Sequence, residues 1–344
     1  MAGKQSALDL VRHAILAPSS HNTQPWLFRA AGELVELHAD RRRALPVNDP
    51  LDRELTISCG CALMNLIVAA RHFGRFRDLQ ILPEHVHQDL LARVRLFAAA
   101  GDAQPGSHLF DAIRSRRTYR KRFAARKVPA AALREMAVAA EAGGAWLEVI
   151  AGAPARHEVA ALIAEADRMQ WADPSWRREL AQWMHPRRSG DGLVSAGLTS
   201  PLTHAVVRTF DRGGGVAAQD RELADGSPVL AVLGTERDRP RDWIAAGEAL
   251  QAVLLTAQTH QLQASFLNQP IQVAALRPRV QSLLAHAGLP QLLIRLGYPT
   301  DEAPATPRRP VADVIVTAER ARRRPREKRP RLSRSCAGRV PPPA

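Results

Sequence analysis

Apolar residues first recur at helical spacing in Ala7–Leu16, where Leu8, Val11, Ile15 and Leu16 share one face. Pro18 ends that helix, because the residue before a proline is pushed out of the helical region. Two alternating runs, Trp26–Ala30 and Leu34–Ala39, flank Ala31-Gly32-Glu33 and predict a hairpin. Leu51–Gly74 then reads as one long helix. Its Gly60, Ala62, Leu63, Leu66, Ile67, Ala69 and Ala70 make a small-residue and aliphatic face that lets a second helix approach closely. Leu79–Leu82 predicts a short strand, and Glu84–Phe97 fits either a helix or a strand over Leu91–Leu96.

Ala98–Ser107 is a linker by composition, and a second series begins beyond it. Helices are predicted at His108–Arg117, Ala130–Glu141, Ala155–Met169 and Ile244–Gln261, with strands at Trp146–Ala151, Pro228–Gly234, Leu292–Gly297 and Ala312–Thr317. Trp171–Gly226, rich in Gly, Pro and Trp, reads as irregular. The two series share one order of elements. Gly60, Ala62, Leu63 and Ala70 recur as Gly247, Ala249, Leu250 and Ala257, each offset by 187 positions. Trp26 corresponds to Trp146, but the polar loop before Trp26 is replaced by Glu141–Ala145.

At 46% apolar and 24% charged residues over 344 positions, the composition is globular and long enough for two domains. The net charge of +14 changes meaning once located: residues 319–344 hold ten Arg or Lys against two Glu. That proline-rich tail has too little apolar surface to fold and is expected to be disordered and solvated, with weak polyanion binding at most. Nucleic acid is therefore not the expected partner. Three cysteines make no disulfide framework, the N-terminus lacks a signal-peptide layout, and no apolar run is expected to span a bilayer. A cytoplasmic protein without membrane association is the expectation. His85-Val86-His87 has no evident third ligand, Cys59 and Cys61 read as packing residues, and no metal site is expected. Neither a phosphate loop of the G-x-x-x-x-G-K type nor a serine nucleophile elbow is present.

The candidate chemistry lies in Ala17–Phe28, A-P-S-S-H-N-T-Q-P-W-L-F, a polar loop between a helix end and a strand start. Side-chain amides, hydroxyls and backbone N–H groups so gathered suit the edge of a flat heterocycle. Pro18, Ser19, Ser20, Asn22, Gln24, Pro25, Trp26 and Phe28 match the flavin-binding pattern P-S-S-x-N-x-Q-P-W-x-F, so the chain resembles the nitroreductase family. Arg116-Arg117-Thr118-Tyr119-Arg120 resembles that family's phosphate-binding R-R-S-x-R segment, which implies that Arg116, Thr118 and Arg120 hold a phosphate. Arginine's planar fork and a hydroxyl suit that anion. Leu267-Asn268-Gln269-Pro270 resembles the segment near flavin N5, implicating Asn268 and Gln269, and Arg308-Arg309-Pro310 resembles a basic pair reaching the phosphate and ribityl chain.

Together these segments look like the Acg-type branch of the family. The resemblance implies an α+β, nitroreductase-like fold in which two fused halves form an intramolecular pseudo-dimer. The halves would be residues 1–100 and 107–317, with a lid insertion at about 171–226 and a basic tail at 318–344. The front half carries the loop and the rear half the arginine segment, so one FMN per chain is expected where the halves meet. The implied activity is flavin-mediated hydride or electron transfer to a nitro, quinone or similar small-molecule acceptor, with no obligatory catalytic side chain. No G-x-G-x-x-G fingerprint is present, and a lid over the flavin would obstruct NAD(P)H, so the donor stays open. A closed flavoprotein that sequesters FMN is the alternative. A monomer built as a pseudo-dimer, or a higher homo-oligomer, is the expected assembly.

Overall fold

The computed structural model describes residues 6–84, 88–184, 190–193 and 213–316. The histidines at 85 and 87, the tail at 318–344, Thr317, and residues 185–189 and 194–212 of the expected lid lie outside these described residues.

Helix α1 (Ala7–Ala14) starts at a reciprocal cap: Asp9 N donates to Ser6 Oγ at 3.2 Å and Ser6 N to Asp9 Oδ2 at 2.9 Å. Strands β1 (Trp26–Ala31) and β2 (Leu34–Ala39) pair antiparallel across a two-residue turn, with Gly32 at φ +59°. Helix α2 (Arg53–His72) follows, then β3 (Phe76–Ile81) and β4 (Leu90–Leu96). The strand alternative for Glu84–Phe97 is the one adopted. The order within this antiparallel sheet is β1-β2-β4-β3.

The second series repeats that plan. After α3 (Phe110–Ser115) and α4 (Ala130–Ala142) come β5 (Trp146–Val149), α5 (Ala153–Ala172), α6 (Pro174–Trp183), α7 (Gly213–Asp225) and β6 (Val229–Thr235). Then follow α8 (Pro240–Thr259), β7 (Gln263–Phe266), α9 (Gln269–Gln272), α10 (Arg277–Gln281), β8 (Leu289–Gly297) and α11 (Val311–Val314). The second sheet is ordered β5-β6-β8-β7, again antiparallel throughout. Where β1 and β2 are joined by two residues, the β5–β6 connection contains α5, α6 and α7.

The core lies between the sheets, where α2 packs along α8. One apolar cluster takes Leu63 and Leu66 from α2, Leu250 and Val253 from α8, and Leu37 and Ile294 from the two sheets. Asn65 Oδ1 accepts from Gln251 Nε2 at 2.7 Å inside this contact, giving the buried amides a partner.

Several expectations are corrected. The stretch Trp171–Gly226 is not irregular: its described part is mostly the helices α6 and α7 and the end of α5. The expected strand Ala312–Thr317 is a helical turn followed by one parallel bridge, Ile315 to Phe28. The helix His108–Arg117 stops at Ser115, preceded by a 3-10 turn at Ser107–Leu109. Strand β7, only four residues long, was not expected. One apolar run does reach spanning length: α2 has an 18-residue window of mean hydropathy 1.3, and 83% of that window is buried inside the protein. Burial against α8 and the first sheet accounts for that apolarity.

Candidate functional site

The loop after α1 is held in an uncommon backbone shape. His21, Asn22 and Gln24 all have positive φ, at 49°, 53° and 50°. Such conformations cost on the order of 1–3 kcal/mol each in non-glycine residues and persist only where surrounding contacts over-determine them. Those contacts are present. Asn22 Nδ2 donates to the carbonyls of Gly192 (3.2 Å) and Pro307 (3.1 Å), and Gln24 Nε2 to that of Gly190 (2.7 Å). Ser19 Oγ accepts from Gln24 N at 2.9 Å. Ser20 Oγ donates to Glu54 Oε2 at 2.6 Å, which ties the loop to the first turn of α2.

Two extended segments bring distant residues to this loop by adding single parallel bridges to strands. Thr118 bridges to Ala264 in β7, with Tyr119 N donating to Ala264 O at 2.9 Å. This places Thr118 and Arg120 beside the second sheet. Ile315 bridges to Phe28 in β1, and Val316 N donates to Phe28 O at 2.8 Å. That anchors the chain just beyond Arg308 and Arg309.

A cavity of about 410 Å³ opens between the loop, α2, α5, α7, β7 and β8, within the size range of small-molecule sites. Pro18, Ser19, Ser20, Asn22, Thr118, Arg120, Asn268, Gln269 and Arg308 line it. Gln24, Arg116 and Arg309 do not line it. The Gln24 side chain and Arg309 bond to each other: Arg309 N donates to Gln24 Oε1 at 2.9 Å and Arg309 Nη1 to Gln24 O at 3.0 Å. Asn268 Oδ1 accepts from Leu293 N at 2.9 Å, pinning that turn to β8.

Arg116 lies just behind the wall, 5% exposed. Its Nη2 and Arg308 Nη2 both donate to the single carbonyl of Leu16, at 3.3 and 3.1 Å. Arg116 Nε and Nη1 and Arg308 Nε have no hydrogen-bond partner. Burial and then the Arg308 charge push the Arg116 guanidinium down to about 9, and burial and then Arg117 push Arg308 down to about 10. Both stay protonated at neutral pH. Among the described residues no carboxylate forms an ion pair with Arg116, Arg120 or Arg308. Buried like charges with free donors are the arrangement an anion would complete.

Composition and motif did not point to His21, Glu54, Asp167, Asp220 or Arg295, which also line the cavity. Burial pushes the His21 imidazole down to about 4, leaving it neutral near pH 7. Glu54 sits in the first turn of α2, four residues before Ser58, which also faces the cavity, and that spacing was readable. Asp167 and Asp220 lie 53 positions apart on two different helices, and no local pattern announces their meeting. Among the described residues, no group of three His, Cys, Asp or Glu is placed to hold a metal ion.

Comparison with known proteins finds two Mycobacterium tuberculosis proteins provisionally named NAD(P)H nitroreductases. Rv3131 is 31% identical over 312 residues, covering 89% of this chain and 90% of its own length. The protein named acg is 31% identical over 312 residues, covering 89% of this chain and 93% of its own. PigM of a Serratia species, provisionally named the same way, is 23% identical over 338 residues, 92% of this chain and 93% of its own. No family model matches the chain. Among solved structures, the FMN-dependent nitroreductase NfnB of Mycobacterium smegmatis aligns with a TM-score of 0.42 and 17% identity, over 62% of this chain and 99% of its own. Iodotyrosine deiodinase aligns with a TM-score of 0.41 and 15% identity, over 61% and 98%. Similarity at that level carries no argument.

Proposed function

This chain belongs to the nitroreductase family, and on that premise we propose that it is an FMN-dependent oxidoreductase binding one flavin per chain in the cavity described above. The carrying observation is the arginine cluster Arg116, Arg120 and Arg308, in which Arg116 and Arg308 keep unpartnered guanidinium nitrogens and no member has a carboxylate ion-pair partner among the described residues. A phosphate monoester fits that need, and the strained loop at residues 18–24 supplies the polar edge for a ring.

When bound, FMN supplies two-electron redox chemistry; the protein supplies position and electrostatics. Ser19, Ser20 and Asn22 form the front wall, Thr118, Arg120 and Arg308 the anion end, and Asn268 and Gln269 the rear wall. Gln24 and Arg309 hold the loop and the C-terminal segment together behind that wall. Arg116 adds positive charge from below the surface. The assembly is read as two fused halves, residues 1–100 and 107–317, sharing this one site as an intramolecular pseudo-dimer. NAD(P)H as donor, a nitro or quinone compound as acceptor, and a cytoplasmic setting belong to the same proposal.

A second reading, a closed flavoprotein that sequesters FMN, is favoured by one observation. The insertion is fastened over the cavity: Glu179 accepts from the backbone N–H groups of Val47 and Asn48, both at 2.9 Å, and Trp176 Nε1 donates to Asn48 Oδ1 at 2.9 Å. The test is the visible spectrum of the purified protein with released cofactor quantified, followed by stopped-flow bleaching with NADPH. Bound FMN that bleaches supports the enzyme; bound FMN that does not bleach supports the sequestering reading. A preparation that stays colourless after reconstitution refutes both.

A further inference from the structure

Asp167 on α5 and Asp220 on α7 meet at one wall of the cavity. A single amide nitrogen serves both: Gln269 Nε2 donates to Asp167 Oδ1 at 3.1 Å and to Asp220 Oδ2 at 2.7 Å. One neutral group thus stands between two carboxylates. Asp167 is 2% exposed, and its Oδ2 has no hydrogen-bond partner although the residue lines the cavity. Arg295 Nη1 and Nη2 are directed to the carbonyls of Lys121 and Tyr119, at 2.9 and 3.2 Å, so its charge lowers Asp220 through space and only in part, without an ion pair to either acid.

The surrounding wall is aromatic and apolar. Trp171 lies one turn along α5 from Asp167, and Trp176 meets it edge-on with ring centroids 5.6 Å apart. Val216 and Leu223 flank Asp220 on the same face of α7. Paired carboxylates set among indole rings are complementary to an organic cation, which gains Coulomb attraction from the acids and quadrupole attraction from the rings.

We propose that this wall is a subsite for a cationic group, an ammonium or amidinium carried on an aromatic ligand. That such a ligand serves as electron acceptor rests on the function proposed above; its binding does not. Without a cation, the pair relieves its repulsion by holding a proton, and burial followed by the Asp220 charge raises Asp167 to about 7. Glu54 on α2 and Arg295 on β8 line the same cavity, and Arg177 on α6 donates to the Trp171 carbonyl; α9 contributes only the neutral Gln269 and Gln272. Arg120, Arg308 and His21 lie on the same cavity's lining. Binding a cation therefore expels a proton, and affinity rises as pH passes upward through 7.

The test compares benzylammonium with its neutral analogue benzyl alcohol by calorimetry and tryptophan fluorescence, using the full-length protein as purified. We expect benzylammonium to bind at least about tenfold more tightly than benzyl alcohol near pH 8, as for close charge pairs. That preference should shrink near pH 6, with proton release detected in buffers of different ionisation enthalpy. Asp167→Asn and Asp220→Asn should each remove most of the preference while the far-ultraviolet circular dichroism, which reads the fold, is unchanged. Equal affinity of the two compounds for the wild-type protein near pH 8, or a preference that survives in the double variant, overturns the proposal. A colourless protein that still prefers benzylammonium would count against the flavin alone.

Discussion

Gly60 and Gly247 sit against each other where α2 crosses α8. A Cβ at Gly60 would stand 2.9 Å from Gly247 Cα and against the Ile244 carbonyl oxygen; one at Gly247 would stand 2.7 Å from Gly60 Cα and against the Ile57 carbonyl oxygen. The contact is reciprocal, since 57 and 244 are separated by the same 187 positions as 60 and 247. Both obstacles are backbone, so the helices can only move apart.

Gly247→Ala should therefore lower stability by about 3 kcal/mol, at the upper end of the overpacking range, despite a gain in helix propensity. Denaturant unfolding measures it. Gly60→Ala should cost a similar amount, and the double variant clearly less than both together, because one separation of the helices accommodates both methyls. Additive losses would mean that the two positions do not share a contact.

Arg116 offers a variant whose effects should diverge between the free and loaded protein. Arg116→Met removes a buried charge with two unpartnered guanidinium nitrogens. The cofactor-free protein should gain about 1 kcal/mol. FMN affinity should fall roughly tenfold, because a buried charge behind the anion end acts through space and contributes on the order of 1.4 kcal/mol. Thermal melting of the apo form and flavin retention on dialysis read the two effects separately.

Asp167 makes a pH-dependent prediction. Its folded-state value, about 7, lies above the ordinary carboxylate range, so the folded protein binds more protons than the unfolded chain between those values. Stability associated with this group is therefore greatest at acid pH and is lost as pH rises towards 7. Asp167→Asn should stabilise the protein by about 2–4 kcal/mol near pH 8 and by little near pH 4. Urea unfolding at the two pH values checks the sign, and a variant effect independent of pH would contradict it.

Glu179 should control access to the cavity. Its carboxylate is the acceptor for two backbone N–H groups of the connection between β2 and α2, at Val47 and Asn48. Glu179→Ala should raise amide hydrogen exchange at Val47 and Asn48 roughly ten- to hundredfold, the equivalent of about 1.5–3 kcal/mol of charge-assisted bonding. Flavin bleaching by NADPH should quicken in parallel if the insertion limits entry. Faster exchange without faster bleaching would locate the restriction elsewhere.

Much of the architecture was legible from local pattern. The helices α2 and α8 carry their small-residue faces in sequence, and the hairpin shows its strands and its turn glycine. Eight matched positions between Pro18 and Phe28 pointed to a flavin-type loop before any fold was known. Local pattern failed in the insertion, where Gly, Pro and Trp suggested irregular chain but α6 and α7 form. It also failed for β7, which is four residues long and defined by its neighbour β8 and the bridge to Thr118.

The sequence by itself determined the repeated order of elements, the polar loop and the supply of arginines, because each depends on residues close along the chain. Only the tertiary structure decided which groups share a cavity. It set Arg116 behind the wall and Arg308 on it, turned Gln24 and Arg309 towards each other, and brought Asp167 and Asp220 to one amide. Those outcomes follow from how two sheets and the α2–α8 crossing pack, and burial of charge at such meeting points has no local signature in a linear chain.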